Sequence, residues 1–295
     1  MRSLIVLAVV GFLAQLVDGS LGMAYGVTST TLLLTVGIAP ALASASVHIA
    51  ETGTTLMSGI AHWRFGNVDW SKIGWMAIPG GVGAFLGAVV LSSISAEAAK
   101  PYIAVFLFVL GVYILGRFSF RRRETPVRVR PLPGRFLGPL GLVAGFLDAA
   151  GGGGWGPIST PTLLSSGRMQ PRKIIGTVDT SEFVVAACAS AGFLLALSLS
   201  EIPFGVVGAL LVGGLVAAPI AAYLVRILPM RVLGTAVGGI ILVTNMRTFL
   251  GAIGINGGTA VLVYVLIVAV WLAALSFSIW VNHQEKDSVA ESQPA

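Results

Sequence analysis

Residues 17–30 of this chain have the sequence Val17-Asp18-Gly19-Ser20-Leu21-Gly22-Met23-Ala24-Tyr25-Gly26-Val27-Thr28-Ser29-Thr30. Residues 147–160 repeat that pattern as Leu147-Asp148-Ala149-Ala150-Gly151-Gly152-Gly153-Gly154-Trp155-Gly156-Pro157-Ile158-Ser159-Thr160. The two stretches align without a gap at an offset of 130 residues, so that Asp18 falls on Asp148 and Gly22 on Gly152. After a one-residue insertion the alignment continues into the next apolar segment. We therefore interpret the chain as an internal duplication.

The composition identifies the environment of these repeats. Hydrophobic residues make up 56% of the 295-residue chain and charged residues only 10%, whereas a soluble domain carries about 25% charged residues. So few charges cannot cover a soluble globule, and the apolar content excludes a disordered chain. Apolar segments in lipid must be helical, because lipid offers no partner for unpaired backbone groups. We therefore predict an all-α polytopic membrane protein, with apolar segments at residues 3–17, 23–38, 41–62, 73–96, 100–117, 136–148, 154–166, 172–199, 202–225, 230–251 and 248–284.

The charged residues predict how the segments are oriented. The loop from Arg117 to Arg135 holds seven arginines and one glutamate, which accounts for the whole net charge of +6 and speaks against nucleic-acid binding. Positive charge marks cytoplasmic loops, so we place loop 119–134 and the C-terminus on the cytoplasmic side of a bacterial plasma (inner) membrane. Helix 41–62 then runs inward and helix 172–199 outward, which makes the repeats inverted. The predicted parts are a first transmembrane repeat (1–118), a basic loop (119–134), a second repeat (135–252), a C-terminal transmembrane helix (253–281) and a polar tail (282–295).

The glycine-rich stretches predict where a ligand binds. Inverted repeats with paired, glycine-interrupted segments are typical of secondary transporters with a site near the bilayer midplane. We expect each stretch to form a broken helix or re-entrant hairpin whose free backbone N–H groups attract an anion. Tight helix packing is the alternative role for the glycines. The predicted substrate contacts are Gly19, Ser20, Gly22, Tyr25, Ser29, Thr30, Gly151, Gly152, Gly153, Gly154, Trp155, Ser159 and Thr160.

Ionisable residues inside the apolar segments form a second set of candidates. Each costs at least about 2.5 kcal/mol if it faces lipid at the midplane, so all should face the protein interior. His48 and Glu51 share one helix face, and they align with Asp179 and Glu182 in the second repeat. The alignment suggests one polar cluster built twice, serving as a proton relay or as counter-charge to the substrate; helix capping is the alternative for the two aspartates of the glycine-rich stretches. The predicted coupling residues are Asp18, His48, Glu51, Asp148, Asp179 and Glu182.

Catalytic motifs are absent from the sequence. The glycines 151–154 are not followed by the lysine of a nucleotide-binding loop, and neither a His-Glu-x-x-His nor a Gly-x-Ser-x-Gly motif occurs. A single cysteine excludes an internal disulfide and a cysteine metal cluster. We predict that the protein is not an enzyme and binds neither a cofactor nor a metal.

At these twin motifs the sequence resembles the sulfite exporter TauE/SafE family of bacterial membrane anion transporters. The resemblance implies transport of sulfite, a sulfonate or a related small sulfur anion across the lipid bilayer. The ionisable residues add a proton as the predicted coupling partner. The alternative function is a passive anion channel. Whether copies of the chain form a homo-oligomer is left open by the sequence. The first repeat departs from the glycine-rich form at Ser20-Leu21 and Met23-Ala24. We therefore expect the second repeat to make the more direct anion contacts.

Overall fold

The computed structural model describes residues 2–120, 132–166, 168–224, 229–255 and 257–291. Within these ranges every regular element is a helix, and the helices follow the predicted apolar segments one for one. The prediction of an all-α protein is confirmed. The helices are α1 (Arg2–Leu21), α2 (Tyr25–Thr35), α3 (Pro40–Arg64), α4 (Trp70–Ser92), α5 (Ala96–Ser119), α6 (Gly134–Gly151), α7 (Trp155–Ser166), α8 (Pro171–Ala196), α9 (Phe204–Leu224), α10 (Met230–Ala252) and α11 (Gly258–Glu291).

Six helices are long and apolar enough to cross a membrane: α1, α4, α5, α8, α9 and α11. Helix α10 contains a shorter apolar stretch, Arg231–Met246. Helix α3 has 25 residues but is less apolar, because eight of its buried residues carry polar or charged side chains. Buried polar residues within a helix of spanning length mark a face that is turned toward the protein interior. The chain is a multi-pass membrane protein, and α3 lies at its centre.

Each glycine-rich stretch interrupts a helix, as predicted. Between α1 and α2 the backbone takes left-handed φ angles of 67° at Gly22 and 98° at Ala24. Between α6 and α7 the φ angles are 75° at Gly152 and 145° at Gly153. Glycine adopts these angles without the steric cost that a Cβ imposes. Ala24 is the single non-glycine residue with a positive φ in the described part of the chain, so the less glycine-rich first repeat keeps a break at the same place.

Helix packing follows the duplication. Helix α1 packs on α9 just as its counterpart α6 packs on α4, while α3 packs on its own counterpart α8 and α5 on α10. Small residues bring the backbones together: a Cβ on Gly11 would collide with the backbone of Leu210, and one on Gly141 with that of Met76. Gly11 therefore has the packing role that small residues often take between membrane helices. Each of these contacts joins a helix of one repeat to a helix of the other. The opposite orientation of the two repeats in the membrane stays a prediction.

The predicted orientation also places residues 62–72, 167–173 and 226–231 on the cytoplasmic side, and segments of that side are neighbours in the structure. Lys173 Nζ donates to the carbonyl of Val68 at 2.9 Å, and Arg231 Nη1 donates to the carbonyl of Ser119 at 2.9 Å. Most of the basic loop, residues 121–131, lies outside the described residues. Helix α11 continues to Glu291, so the first part of the polar tail is helical, and the stretch of α11 that is apolar enough to cross a membrane is Gly258–Gln284.

Candidate functional site

The two helix breaks cross each other backbone to backbone in the protein core. A Cβ placed on Gly26 would lie 2.9 Å from the Cα of Gly153. On the other side of the crossing, a Cβ on Gly156 would lie 2.5 Å from the Cα of Met23. No larger residue fits at these positions unless the backbones separate. The two glycine-rich stretches therefore form one joint structure to which each repeat contributes half.

Equivalent threonines brace the crossing from both sides. The hydroxyl of Thr160 donates to the carbonyl of Gly22 at 2.6 Å. Its counterpart Thr30 lies against Gly152, where a Cβ on the glycine would come within 2.8 Å of the threonine hydroxyl. The hydroxyl of Thr30 has no hydrogen-bond partner in the described part of the chain. The crossing is thus symmetric in position but not in hydrogen bonding.

Asp148 caps the second half-helix. Its Oδ1 accepts hydrogen bonds from the backbone N–H of Gly154 at 2.6 Å and of Trp155 at 3.0 Å. Its backbone carbonyl accepts from the N–H groups of Gly152 at 2.8 Å and Gly153 at 2.9 Å. A side-chain oxygen on the first amides of a helix is a capping interaction. Of the five amides of residues 151–155 that we expected to offer to an anion, the four from Gly152 to Trp155 are therefore bound by Asp148 in this conformation.

The cap on the first half-helix is looser. Asp18 Oδ1 accepts from the N–H of Tyr25 at 3.4 Å, and Asp18 Oδ2 has no hydrogen-bond partner among the described residues. The halves are unequal, as their sequences suggest. The sequence favoured the second half for direct anion contact, yet its amides are the more firmly occupied by a carboxylate.

Three buried hydroxyls at the crossing remain without partners. Ser29, Thr30 and Ser159 are at most 1% exposed, and none of their hydroxyls forms a hydrogen bond within the described part of the chain. Buried polar groups are normally satisfied. Each of these three predicted substrate contacts therefore has an O–H group that can donate a hydrogen bond to a bound anion.

Two predicted contacts hold the half-helices to their neighbours. The Tyr25 hydroxyl donates to the carbonyl of Leu210 at 3.4 Å. At the equivalent position, the indole N–H of Trp155 donates to the carbonyl of Val178 at 3.0 Å. Both side chains are fully buried, and a Tyr or Trp in the interior needs such a partner. They position the crossing, and their polar atoms face helices rather than the space between the repeats.

The outermost predicted contacts also pack against helices. A Cβ on Gly19 would lie 2.6 Å from the side chain of Ala221, and one on Gly151 would collide with an aromatic ring of α5. Ser20 donates its hydroxyl to the carbonyl of Leu16 within its own helix at 2.6 Å. Helix packing explains these three residues.

The predicted coupling residues gather into two equivalent clusters. The His48 cluster consists of His48, Glu51 and Asp148, whose nearest side-chain oxygen and nitrogen atoms lie within 4.8 Å of one another. The Asp179 cluster consists of Asp18, Asp179 and Glu182, which meet the same limit. The offset that relates the repeats converts one cluster into the other. Each cluster combines two residues from one repeat with an aspartate from the break of the other repeat.

Three acceptor groups surround the His48 ring. Its Nε2 lies 3.1 Å from Asp148 Oδ2 and 3.9 Å from Glu51 Oε2, and its Nδ1 lies 2.8 Å from the carbonyl of Ser44. A carbonyl only accepts, so Nδ1 carries a hydrogen. A second hydrogen must then lie between Nε2 and Asp148. The pair holds one more proton than a neutral histidine beside an ionised aspartate.

Glu51 reaches the crossing itself. Its carboxylate is buried, and neither oxygen has a hydrogen-bond partner in the described residues. A Cβ on Gly26 would come within 3.4 Å of Glu51 Oε1. The carboxylate therefore lies between the His48 cluster and the point where the two breaks meet.

His62 is the residue that sequence reasoning missed. Its Nε2 donates to the carbonyl of Gly19 at 3.1 Å and lies 3.7 Å from Asp179 Oδ2. Its Nδ1 faces the amide nitrogen of Asn67 at 3.1 Å, a donor, so Nδ1 is an acceptor and this histidine is neutral. His62 lies fourteen residues after His48, about four helical turns, which places both on one face of α3. That spacing was the available signal.

Distance alone would let either cluster hold a metal ion, since each offers three oxygen or nitrogen ligands. In the His48 cluster, however, the histidine nitrogen and one Asp148 oxygen already face each other. Carboxylate oxygens with one imidazole are also what a proton-binding site requires. We therefore keep the prediction that no metal is needed.

Comparison with known proteins agrees with this architecture. The family model described as "Sulfite exporter TauE/SafE" matches residues 7–248. The chain belongs to the sulfite exporter TauE/SafE family. It is 51% identical over 278 residues to the "Probable membrane transporter protein YtnM" of Bacillus subtilis (strain 168), an alignment that covers 94% of this chain and 93% of that protein. No solved structure matches the chain.

The family match covers both repeats and ends before α11. Residues 7–248 run from the first turns of α1 to the last turns of α10. Both helix breaks and both clusters therefore lie in the part of the chain that defines the TauE/SafE family. Helix α11 starts at Gly258, beyond the matched range.

Proposed function

We propose that the protein is a secondary transporter that moves a small anion, namely sulfite, a sulfonate or a related sulfur compound, across the plasma membrane by alternating access, coupled to protons. The family description supports a sulfur anion, and the name of the Bacillus relative supports membrane transport. One observation carries the proposal of coupling. The carboxylate of Asp148 binds the half-helix amides with one oxygen and His48 with the other.

This arrangement makes the anion and Asp148 competitors. A helix N-terminus attracts anions because its N–H groups are unpaired and its dipole is positive there. In the present conformation the carboxylate of Asp148 plays the part of that anion at Gly154 and Trp155. A substrate oxyanion can take its place only when the carboxylate leaves, and the unpartnered hydroxyls of Ser29 and Ser159 then supply further donors.

A proton decides whether the carboxylate leaves. When Asp148 takes up a further proton while His48 keeps both of its own, the carboxyl loses its negative charge and becomes a weaker acceptor for the amides. Protonation therefore favours anion binding, and by linkage the bound anion favours protonation. Anion and proton bind together, so the proposed transport is a symport in which anion affinity increases as the pH falls.

The two clusters would alternate in this role. In the present conformation the His48 cluster holds its extra proton, while the histidine beside the Asp179 cluster is neutral. Each cluster contacts the half-helix of the opposite repeat. In the opposite state the Asp179 cluster would take the arrangement that the His48 cluster has here, and the reverse. This exchange would open the site to the other side of the membrane, which is the alternating access expected of inverted repeats.

The test is the flux of labelled sulfite into proteoliposomes made with the purified protein. We expect faster uptake when the outside is more acidic than the lumen, and accumulation above equilibrium while that pH gradient lasts. The same assay is run with a labelled sulfonate, whose charge does not change over this pH range, because a passive anion channel would equilibrate that anion without concentrating it. Absence of flux for every sulfur anion tried, with and without the gradient, would refute the proposal.

A further inference from the structure

A basic cavity lies at the ends of α4 and α8, away from the crossing. Its volume is about 760 Å³, and its walls come from residues 68–72 and 168–173. Four cationic side chains and one carboxylate, that of Asp69, line it, which gives a local net charge of +3. The carboxylate is occupied by the N–H and the hydroxyl of Ser71. The cationic residues are Lys72, Arg168, Arg172 and Lys173.

An apolar groove adjoins the cavity on the outer surface of the helices. It has a volume of about 210 Å³, and α3, α4 and α8 contribute its walls. Trp70 lines both the groove and the basic cavity. Leu56 and Ile60 in the groove wall are 47% and 38% exposed on the face of α3 that looks outward. On a membrane-spanning helix, such an apolar surface faces lipid.

Two tryptophans mark the depth of this junction in the bilayer. Trp63 and Trp70 are 58% and 56% exposed, and their rings meet edge to face with centroids 6.2 Å apart. Tryptophan is enriched at the boundary between headgroups and hydrocarbon. The basic cavity thus lies at the level of the phosphates, and the groove runs from it along the hydrocarbon side.

We propose that the cavity and groove together bind an anionic phospholipid, with its phosphate among the four cationic side chains and an acyl chain in the groove. Basic pockets between helices are the sites where anionic headgroups bind membrane proteins. A soluble anion would use the charge alone and would leave the apolar groove without a role. The lipid accounts for both features and for their meeting at Trp70. This inference does not depend on the proposed transport.

Native mass spectrometry of the full chain in detergent tests the proposal with defined lipids. Phosphatidylglycerol should be retained and phosphatidylcholine should not, because only the first carries a net negative charge. Arg172→Gln should weaken phosphatidylglycerol retention about fivefold, since one interfacial cation contributes roughly 1 kcal/mol. Lys100→Gln removes an exposed cation at the start of α5 and should leave retention unchanged.

Two further arms make the result decisive. Trp63→Ala should also reduce phosphatidylglycerol retention, because it removes a wall of the groove but no charge. Soluble glycerol phosphate, added in excess, should displace the lipid poorly. Equal retention of both lipids, equal loss in Arg172→Gln and Lys100→Gln, or full displacement by glycerol phosphate would overturn the proposal. Each variant is compared only where its thermal unfolding matches the parent protein.

Discussion

Replacing Gly153 with alanine tests the backbone-to-backbone crossing most sharply. The φ angle of 145° at Gly153 is rarely adopted by residues with a side chain, and such strain costs about 1–3 kcal/mol. The new Cβ would also lie 2.7 Å from the carbonyl carbon of Gly26 and 2.8 Å from the Cα of Val27. Overpacking of this kind costs a further 1–3 kcal/mol or so. The free energy of unfolding should therefore fall by roughly 2–6 kcal/mol.

The matched control is Gly74→Ala. Gly74 is in α4, and a Cβ there would meet no atom within 4 Å, so alanine should stabilise the helix by up to about 1 kcal/mol. The assay is thermal unfolding in detergent, followed by sulfite flux in proteoliposomes. We expect the Tm of Gly153→Ala to fall by at least about 4 °C and its flux to be lost, while Gly74→Ala keeps both. Parental Tm and flux in Gly153→Ala would refute the crossing.

Three further substitutions test the two clusters and the hydrogen bond from Thr160 to the carbonyl of Gly22. The side chain introduced by Asp148→Asn cannot exchange a proton, so sulfite flux in proteoliposomes should lose its response to a pH gradient. Exchange of labelled for unlabelled sulfite across the membrane should persist. Glu97→Gln, at an exposed position, should behave as the parent protein. His62→Phe removes the hydrogen bonds to the Gly19 carbonyl and to the Asn67 amide. It should lower stability by about 1–3 kcal/mol, measured by thermal unfolding, and shift the pH profile of flux. Thr160→Val removes the hydrogen bond to the break and should cost about 1 kcal/mol in unfolding free energy, with the pH profile unchanged.

Much of the helical framework could be predicted, because an apolar segment in lipid must form a helix to satisfy its backbone hydrogen bonds. Apolar length located the helices, and consecutive glycines located the breaks, since a helix interior with four glycines is unfavourable. The helical start of the polar tail was not predicted. Hydrophobicity stops near Asn282, but the following Gln, Glu and Lys are good helix formers, so the backbone remains helical after the apolar segment has ended.

The clusters could be predicted only in part. The alignment identified equivalent residues, yet it does not tell which residues touch, and the contact of His48 with Asp148 joins different repeats. The amides were expected to be free because the alignment could not reveal that an aspartate six residues before Gly154 folds back to cap them. Both findings depend on how the helices pack.

His62 escaped for a related reason. Its counterpart in the second repeat is Phe193, which packs beside His48 with ring centroids 6.0 Å apart. A search for polar residues that occur twice passes over a histidine whose counterpart is apolar. The two clusters therefore share two pairs of equivalent acids, but His48 takes the place of Asp179, and His62, also from α3, has no polar counterpart.

The central claim is that an anion and a proton move together under the control of Asp148. The most direct measurement imposes an inward sulfite gradient on proteoliposomes, with the membrane potential clamped and a pH-sensitive dye in the lumen. The account predicts that the lumen acidifies as labelled sulfite enters, and that acidification is lost in Asp148→Asn. Sulfite entry with an unchanged lumen pH, or acidification that persists undiminished in the variant, would contradict it.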